Sequence, residues 1–277
     1  MATKEIPLAG VIGDPVSHSL SPKLHGHWLR RYGLRGHYIP MRVAQSDLAE
    51  VLRVLPMMGF VGVNVTIPHK EHVLSLADTV TDRAALIGAA NTLTFTAQGR
   101  MQADNTDGSG FLANIRQAIP GWTAKMGPAL ILGSGGAAKA IVWALLNDGA
   151  PVVYVANRTR SRADGLKEQF GARVSPQDWT MIPDLVREAN LIVNTTSLGM
   201  RGQPPLSVDL SGATPATIVT DIVYTPLRTT ILEQAEAQGC QTVDGLGMLL
   251  HQAVPGFERW FSYTPMVDDE LRAAVLS

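Results

Sequence analysis

The 277-residue sequence is poor in cysteine. Cys240 is the single cysteine, so no disulfide can form within the chain and no cysteine zinc cluster can be built. It stands in the segment Gly239–Val243, which has the composition of the start of a buried strand. Free cysteine usually packs as a small apolar side chain. We therefore predict a packing role for Cys240 and no metal site, although a lone cysteine can also be a nucleophile.

Charge is scarce as well. Charged residues make up 17% of the chain, against ~25% in an average soluble protein, and the formal net charge is −1. No basic block could follow a phosphate backbone, which argues against a nucleic-acid-binding protein. A small ligand that is uncharged or singly charged suits this chain better than a polyanion. We expect a small-molecule partner and a monomer or homodimer.

Long apolar runs are missing too. The first residues, Met1–Pro7, lack the apolar core of a signal peptide. No uninterrupted run of ~18 apolar residues is long enough to span a membrane. We therefore expect a cytoplasmic protein without membrane association. No repeat, low-complexity segment or Gly/Ser-rich linker is visible, and one domain per ~150 residues predicts two domains.

What the chain does contain is an alternation of short apolar runs and amphipathic helical stretches. In the first third, helices begin at Ser21, as N-cap before Pro22, and at Ser46–Asp47, and they run to about Tyr32 and Met58. This part predicts an αβ domain with a mixed, mainly parallel sheet. Its predicted strands are Ile6–Ile12, His37–Val43 and Val61–Ile67, followed by a hairpin of Thr92–Phe95 and Arg100–Ala103 around Gly99.

The middle of the chain predicts a doubly wound, Rossmann-type domain, because its short runs of Val, Ile and Leu are typical of strands buried on both faces of a parallel sheet. These strands are Ala129–Leu132, Val152–Ala156, Leu191–Val193 and Ile218–Val219. The predicted helices are Ala137–Asn147, Arg160–Phe170 and Thr230–Gln238, with Leu246–Phe261 and Asp268–Leu276 in the tail.

A dinucleotide-binding motif opens this domain. Gly133-Ser134-Gly135-Gly136-Ala137-Ala138 follows a predicted strand and begins a predicted helix, which is the context that the G-x-G-x-x-A pattern requires. Gly133 allows a tight turn, Gly135 lets the backbone approach a pyrophosphate, and Ala138 lets helix and strand pack closely. The helix N-terminus offers unpaired N–H groups to phosphates. The alternative is a glycine-rich turn that binds nothing.

The end of the next strand favours NADP over NAD. NAD-binding versions carry Asp or Glu about 20 residues after the glycines, where it holds the ribose 2′-hydroxyl. This sequence has Asn157-Arg158-Thr159-Arg160-Ser161-Arg162 instead. Arginine attracts a 2′-phosphate and can hydrogen-bond it through its planar fork. A solvated turn is the alternative.

Two polar clusters are candidates for the reacting groups. Asn64–Lys70 begins where a strand ends, at the edge of an α/β sheet that borders ligands, and Asp104–Gly108 precedes a helix. Lys70 and Asp107, if brought together, would form an acid/base pair. Taken alone, Lys70 could be a solvated lysine at a helix start and Asp107 an N-cap. His69 is given no role.

The ordered set of motifs resembles the shikimate dehydrogenase family, within the shikimate/quinate dehydrogenases. Eight segments occur in that family's order and cover nearly the whole chain. They are Gly13–Pro22, Asn64–Lys70, Gly88–Thr92, Asp104–Gly108, Gly133–Ala138, Asn157–Thr159, Asn194–Met200 and Gly245–Ala253.

The resemblance implies reversible reduction of 3-dehydroshikimate to shikimate with NADPH, on the route to chorismate and the aromatic amino acids. Lys70 would be the acid/base residue and Asp107 would orient it. The implied substrate-binding residues are Ser17, Ser19 and Tyr224 for the carboxylate and Thr66, Asn91, Asp107 and Gln252 for the ring. The implied cofactor-binding residues are Gly133, Ser134, Gly135, Gly136 and Ala137 for the pyrophosphate, Asn157, Arg158, Thr159 and Arg162 for the 2′-phosphate, Ile222, Gly245 and Met248 for the nicotinamide, and Asp82.

This layout predicts a substrate-binding domain of residues 1–107, completed by 246–277, and an NADP-binding domain of residues 108–245. Two alternative functions stay open. One is a quinate/shikimate dehydrogenase using NAD, although such relatives often carry threonine in place of Ser19 and an acidic residue near the ribose. The other is a nucleotide-sensing homologue without turnover, which loss of the lysine or aspartate would have favoured.

Overall fold

Two six-stranded sheets form the frame of the protein in a computed structural model that describes residues 6–277. They lie in different units of the chain. One unit comprises Met1–Asp107 with Leu249–Ser277, and the other comprises Gly108–Met248. The α/β class predicted from the alternating pattern is confirmed.

Strands β1–β6 belong to the first unit and are arranged in the order β2-β1-β3-β5-β6-β4. Strand β5 runs antiparallel to β3 and β6, and the other neighbours are parallel, so the predicted mixed, mainly parallel sheet and its hairpin are confirmed. The strands are β1 (Leu8–Gly13), β2 (His37–Arg42), β3 (Phe60–Val65), β4 (Thr79–Val80), β5 (Thr92–Phe95) and β6 (Met101–Asp104).

The second unit holds a fully parallel sheet in the order β12-β11-β10-β7-β8-β9, which is the doubly wound arrangement. Along β7, Ala129 and Ile131 enter one apolar cluster while Leu130 and Leu132 enter another. The sheet is therefore buried on both faces, as predicted. Its strands are β7 (Ala129–Leu132), β8 (Val153–Ala156), β9 (Val174–Gln177), β10 (Leu191–Asn194), β11 (Ile218–Asp221) and β12 (Gln241–Val243).

Eleven α-helices are present among residues 6–277. Two of the predicted helices are corrected. The helices are α1 (Ser21–Arg31), α2 (Leu48–Val54), α3 (Val73–Leu76), α4 (Asp82–Ile87), α5 (Asp107–Ala118), α6 (Gly136–Asn147), α7 (Arg160–Phe170), α8 (Ile182–Glu188), α9 (Thr230–Ala237), α10 (Leu246–Phe261) and α11 (Asp269–Leu276).

The first correction concerns α1. Ser21 is its first helical residue rather than its N-cap, which is Leu20, because the hydroxyl of Ser19 already accepts the Ser21 N–H at 3.3 Å. The second concerns the helix expected from Ser46 to Met58, which is interrupted. Short 3₁₀ turns flank α2 on both sides, and Pro56, which has no N–H to donate, stands in the second of them.

Cys240 precedes the edge strand β12 and is buried in an apolar cluster of the second unit. Burial raises the pKa of its thiol, which disfavours the reactive thiolate. Within residues 6–277, no helix combines the length and the apolar character needed to cross a membrane.

Candidate active site

Lys70 and Asp107 meet in the first unit. The Lys70 ammonium lies 2.5 Å from Asp107 Oδ2, with the side chains 18% and 6% exposed. Lys70 follows the end of β3, and Asp107 is the first residue of α5. Antiparallel pairing of β5 with both β3 and β6 makes β3 and β6 run in the same direction, and their carboxyl ends bring together two groups that are 37 positions apart. A short contact between nearly buried ions is strong because water screens it poorly.

Asn91 holds the other carboxylate oxygen. Its Nδ2 donates to Asp107 Oδ1 at 2.8 Å, to Thr106 Oγ1 at 2.9 Å and to Gln252 Oε1 at 3.0 Å. Asn91 Oδ1 accepts the N–H of Thr106 at 2.8 Å. All four side chains are buried. The Asp107 carboxylate thus has one oxygen fixed by an amide and the other paired with the ammonium.

The loop that carries Ser17 and Ser19 lies against the end of β3. The Asp14 N–H donates to the Ile67 carbonyl at 3.0 Å, and a Cβ added to Gly13 would stand 2.4 Å from Thr66 Cγ2. Glycine at position 13 is therefore what allows this approach. Ser17 is exposed and Ser19 half-buried, so both residues border solvent.

This arrangement can bind and protonate a small polar molecule. The ammonium is a proton donor held in place by Asp107, and the threonine, asparagine and glutamine groups of the same network offer neutral hydrogen bonds. Across residues 6–277, no group of three or more His, Cys, Asp or Glu side chains is placed to hold a metal ion.

Gly133 stands in the second unit, in the turn between β7 and α6. It has φ +112°, and an added Cβ would lie 2.6 Å from Thr195 Oγ1. Only glycine fits both this backbone conformation and this approach. Ser134, Gly136 and Ala137 are half-buried around the start of α6.

Gly135, the N-cap of α6, has nothing within 4 Å of an added Cβ. The turn therefore leaves open space beside the unpaired N–H groups of a twelve-residue helix, which suits a phosphate group. Ala138 is completely buried where α6 packs on the sheet.

The arginines after β8 differ in their availability. Arg160 bonds to Asp164 at 3.0 Å and to Asp178 at 2.8 Å. Arg158 and Arg162 are exposed, and their guanidinium groups have no hydrogen-bonding or ionic partner among the described residues. Asn157 Nδ2 closes the turn by donating to the Thr159 carbonyl at 2.8 Å. Two guanidinium groups are thus free to bind an anion.

Three further predicted cofactor residues, Ile222, Gly245 and Met248, belong to the second unit, where Ile222 and Gly245 follow the carboxyl ends of β11 and β12. A Cβ on Gly245 would meet the carbonyl group of Ile222 at 2.5 Å, and both Ile222 and Met248 contact the apolar cluster around β7. Tyr224 is half-buried, and burial raises the pKa of its phenol.

Asp82 belongs to the first unit. It is exposed in the first turn of α4, directly after the N-cap residue Thr81. The structure therefore places it in the unit that does not contain the glycine-rich turn.

The sequence predicted no individual role for several residues of the network. Asn105 donates to the Ala89 carbonyl and accepts the Asp107 N–H, and Tyr38 donates to Asn64 at 2.7 Å. His69, left without a role, is buried and bonded to the Val43 carbonyl at 2.8 Å. Asn105 lies in the polar segment Asp104–Gly108, which could have indicated a role for it, whereas no sequence pattern indicated one for Tyr38.

Comparison with known proteins gives the family. The model described as "Shikimate dehydrogenase substrate binding domain" matches residues 11–93, and the model described as "Shikimate / quinate 5-dehydrogenase" matches residues 116–200. The chain is 76% identical over 277 residues, all of both chains, to the shikimate dehydrogenase (NADP(+)) of Jannaschia sp. (strain CCS1). The chain belongs to the shikimate dehydrogenase family.

Solved structures of family relatives are similar throughout. Shikimate 5-dehydrogenase from Thermus thermophilus, in complex with NADP(H) and shikimate, is 37% identical with a TM-score of 0.85, covering 97% of this chain and 98% of that one. Quinate dehydrogenase from Corynebacterium glutamicum, in complex with NAD, is 33% identical with a TM-score of 0.89, covering the same shares. The family resemblance seen in the motifs is therefore confirmed.

Proposed function

We propose that this protein catalyses the reversible NADPH-dependent reduction of 3-dehydroshikimate to shikimate. The observation that carries the proposal is the buried contact between Lys70 and Asp107, surrounded by neutral hydrogen-bonding groups. A family member that had lost turnover would not need to keep this pair. The relatives named shikimate dehydrogenase (NADP(+)) support the same substrate and cofactor.

Lys70 acts as the general acid in reduction and as the base in oxidation. As an ammonium it donates its proton to the oxygen that gains negative charge when the ketone is reduced. In the reverse direction the free amine takes the proton back. Asp107 fixes the position of the ammonium, because its other carboxylate oxygen is held by Asn91.

The substrate is bound by neutral groups. Ser17 and Ser19 hold the carboxylate, and Thr66, Asn91 and Gln252 hold the ring substituents together with Asp107. Hydroxyls suit a singly charged carboxylate, and Ser17 and Ser19 border solvent where such a group could enter. The assignment of Tyr224 to the same carboxylate stays a prediction.

The residues of the second unit fit NADP. Its adenosine 2′-phosphate would be held by Arg158 and Arg162, with Asn157 and Thr159 shaping the turn, and its pyrophosphate by the turn of Gly133–Ala137. The open space at Gly135 and the unpaired guanidinium groups support this fit. When bound, NADPH supplies the hydride. Ile222, Gly245 and Met248 would line the nicotinamide, and the role of Asp82 stays a prediction.

Each unit has its own task in this proposal. Residues 1–107 with the C-terminal helices form the substrate-binding domain, and the parallel sheet forms the NADP-binding domain. The protein acts in the cytoplasm on a small molecule, without nucleic acid, as a monomer or homodimer.

A spectrophotometric assay tests the proposal by crossing shikimate and quinate with NADP and NAD. We expect reduction of the nicotinamide with shikimate and NADP to exceed every other combination. A preference for quinate and NAD would instead assign the chain to the quinate-oxidising relatives. Absence of turnover in all four combinations would contradict an enzymatic function.

A further inference from the structure

Asp104 lies at the end of β6, three residues before Asp107, and is completely buried. Its Oδ1 accepts hydrogen bonds from Arg83 Nε at 2.6 Å, from Thr81 Oγ1 at 2.8 Å and from the Asn105 N–H at 2.8 Å. Its Oδ2 accepts from Arg83 Nη2 and, at 2.5 Å, from Arg259 Nη2. Burial opposes ionisation of Asp104, but the bonds from Arg83, Thr81 and Arg259 hold its pKa well below the usual range.

The turn from Asp104 to Asp107 is attached to this carboxylate at its first residue. The Asp104 carbonyl accepts the Asn91 N–H at 3.0 Å, so the same residue also holds the strand that carries Asn91. Asn105 follows, and its side chain links the Ala89 carbonyl to the Asp107 N–H. A shift of Asp104 would therefore move both groups that hold the Asp107 carboxylate and its backbone.

Helix α10 is joined to the same turn at two points. Gln252 and Arg259 are seven residues apart, about two helical turns, and so lie on the same face. At the first point, the Gln252 carbonyl accepts a hydrogen bond from the Thr106 hydroxyl at 2.8 Å. At the second, Arg259 reaches Asp104. Without Arg259, the turn would keep only its attachment to the Gln252 end of the helix.

We infer that Asp104, which is hydrogen-bonded to Arg83 of α4 and to Arg259 of α10, is a positioning residue for the Lys70–Asp107 pair. The inference rests on the proposed function, since it concerns the pair that would transfer the proton. Two guanidinium groups fix a carboxylate in direction as well as in distance, because each donates along its own plane. Both arginine side chains are about one third exposed, so they can be replaced with less damage to the core than Asp104 itself.

The test compares the wild type with Arg259→Met, Arg259→Lys, Asp104→Asn and the double variant Asp104→Asn/Arg259→Met. We expect Arg259→Met to lower kcat about tenfold with shikimate, because small displacements of catalytic groups are costly. Arg259→Lys should restore part of this loss. In the Asp104→Asn background, Arg259→Met should lower kcat no further, since its partner is already gone. Arg83→Met removes the other guanidinium group that bonds to Asp104 and is an independent variant for the same comparison.

Two measurements separate positioning from a general loss of structure. Calorimetric titration with shikimate should still give about one binding site per chain in each variant. Arg31→Met removes a comparable ion pair with Asp268, 2.8 Å in length, between α1 and the N-cap of α11 in the same unit, and should leave kcat near that of the wild type.

Three outcomes would each overturn the inference. The first is a normal kcat in Arg259→Met, and the second is a kcat of the double variant that falls by the product of the two single effects. The third is a fall in the number of shikimate-binding sites per chain that matches the fall in kcat. Such a result, with a wild type that oxidises shikimate and a Lys70→Ala variant whose kcat is strongly lowered, would leave the proposed function intact. A wild type without shikimate turnover would overturn the function itself.

Discussion

The two units prepare for their ligands in opposite ways. In the first unit, the carboxylate of Asp107 is held by the Lys70 ammonium and the buried amide of Asn91, and its backbone N–H is held by the buried side chain of Asn105. In the second unit, the glycine-rich turn offers backbone N–H groups beside open space, and Arg158 and Arg162 extend into solvent. The site in the first unit is therefore held by a network of side chains, whereas the site in the second unit consists of accessible backbone N–H groups and exposed arginines.

This difference follows from the chemistry each site would serve. Proton transfer needs a donor at a defined distance, and the buried polar groups around Asp107 hold the donor there even though burying polar groups is unfavourable. Binding of phosphate groups needs accessible donors and positive charge. We therefore expect substitutions in the first unit to change turnover and substitutions in the second to change cofactor affinity.

The largest effect is expected at Lys70. Lys70→Ala removes the proton donor and should lower kcat by about 10²- to 10⁴-fold, the usual range for a general acid, while the KM for shikimate changes much less. Steady-state kinetics in both directions would measure this. Lys23→Ala, which removes an exposed lysine of the same unit, is the control. A kcat near the wild-type value would remove Lys70 from the mechanism.

Arg158 should separate the two nicotinamide cofactors. Arg158→Ala removes a charge-assisted hydrogen bond worth about 1.5–3 kcal/mol, so the KM for NADPH should rise roughly 10- to 100-fold while that for NADH stays nearly constant. Arg187→Ala, whose guanidinium is exposed and paired with Asp184, is the control in the same unit. Equal changes for both cofactors would show that Arg158 does not bind the 2′-phosphate.

The two glycines of the turn should respond differently. Gly133→Ala forces a left-handed backbone and a 2.6 Å contact, and should lower the free energy of unfolding by about 1–3 kcal/mol. Gly135→Ala has room for its methyl group without ligand, so stability should be unchanged. Its methyl would occupy space that a pyrophosphate needs, and the KM values for NADPH and NADH should rise together. Unchanged KM values would show that the backbone at Gly135 makes no close contact with the cofactor.

The sequence predicted the local parts of this comparison better than the long-range ones. The strands and helices around Gly133 followed from short apolar runs and a glycine pattern because each depends on neighbouring residues. Lys70 and Asp107 could be named as a pair, but only sheet pairing shows that they touch. Arg259 gave no signal, since its partner Asp104 lies 155 positions earlier. The apolar periodicity predicted one helix from Ser46 to Met58 and did not reveal the 3₁₀ turns on both sides of α2, the second of which contains Pro56.

The smallest expected effect concerns a group of the first unit that has no hydrogen-bonding partner. His25 is completely buried, and both ring nitrogens lack partners among the described residues. Its ring stacks on Tyr38 with centroids 3.9 Å apart, and Trp28, Phe257 and Trp260 surround it. Burial lowers its pKa from 6.5 to about 3. The folded protein therefore keeps this imidazole neutral at pH values where the unfolded chain protonates it.

The sign of the pH effect follows. As the pH falls from about 6.5 toward about 3, the unfolded chain gains a proton that the folded protein does not, so stability decreases by at most about 1.4 kcal/mol per pH unit. Urea unfolding at pH values of about 7.5, 6 and 5, which span the usual histidine pKa, should show a steeper loss for the wild type than for His25→Phe, which keeps a ring of similar size. His37→Gln, at an exposed position, should follow the wild type. Parallel losses in wild type and His25→Phe would mean that the buried network tolerates a charged imidazole, and that the rigidity of the first unit is less complete than its hydrogen bonds indicate.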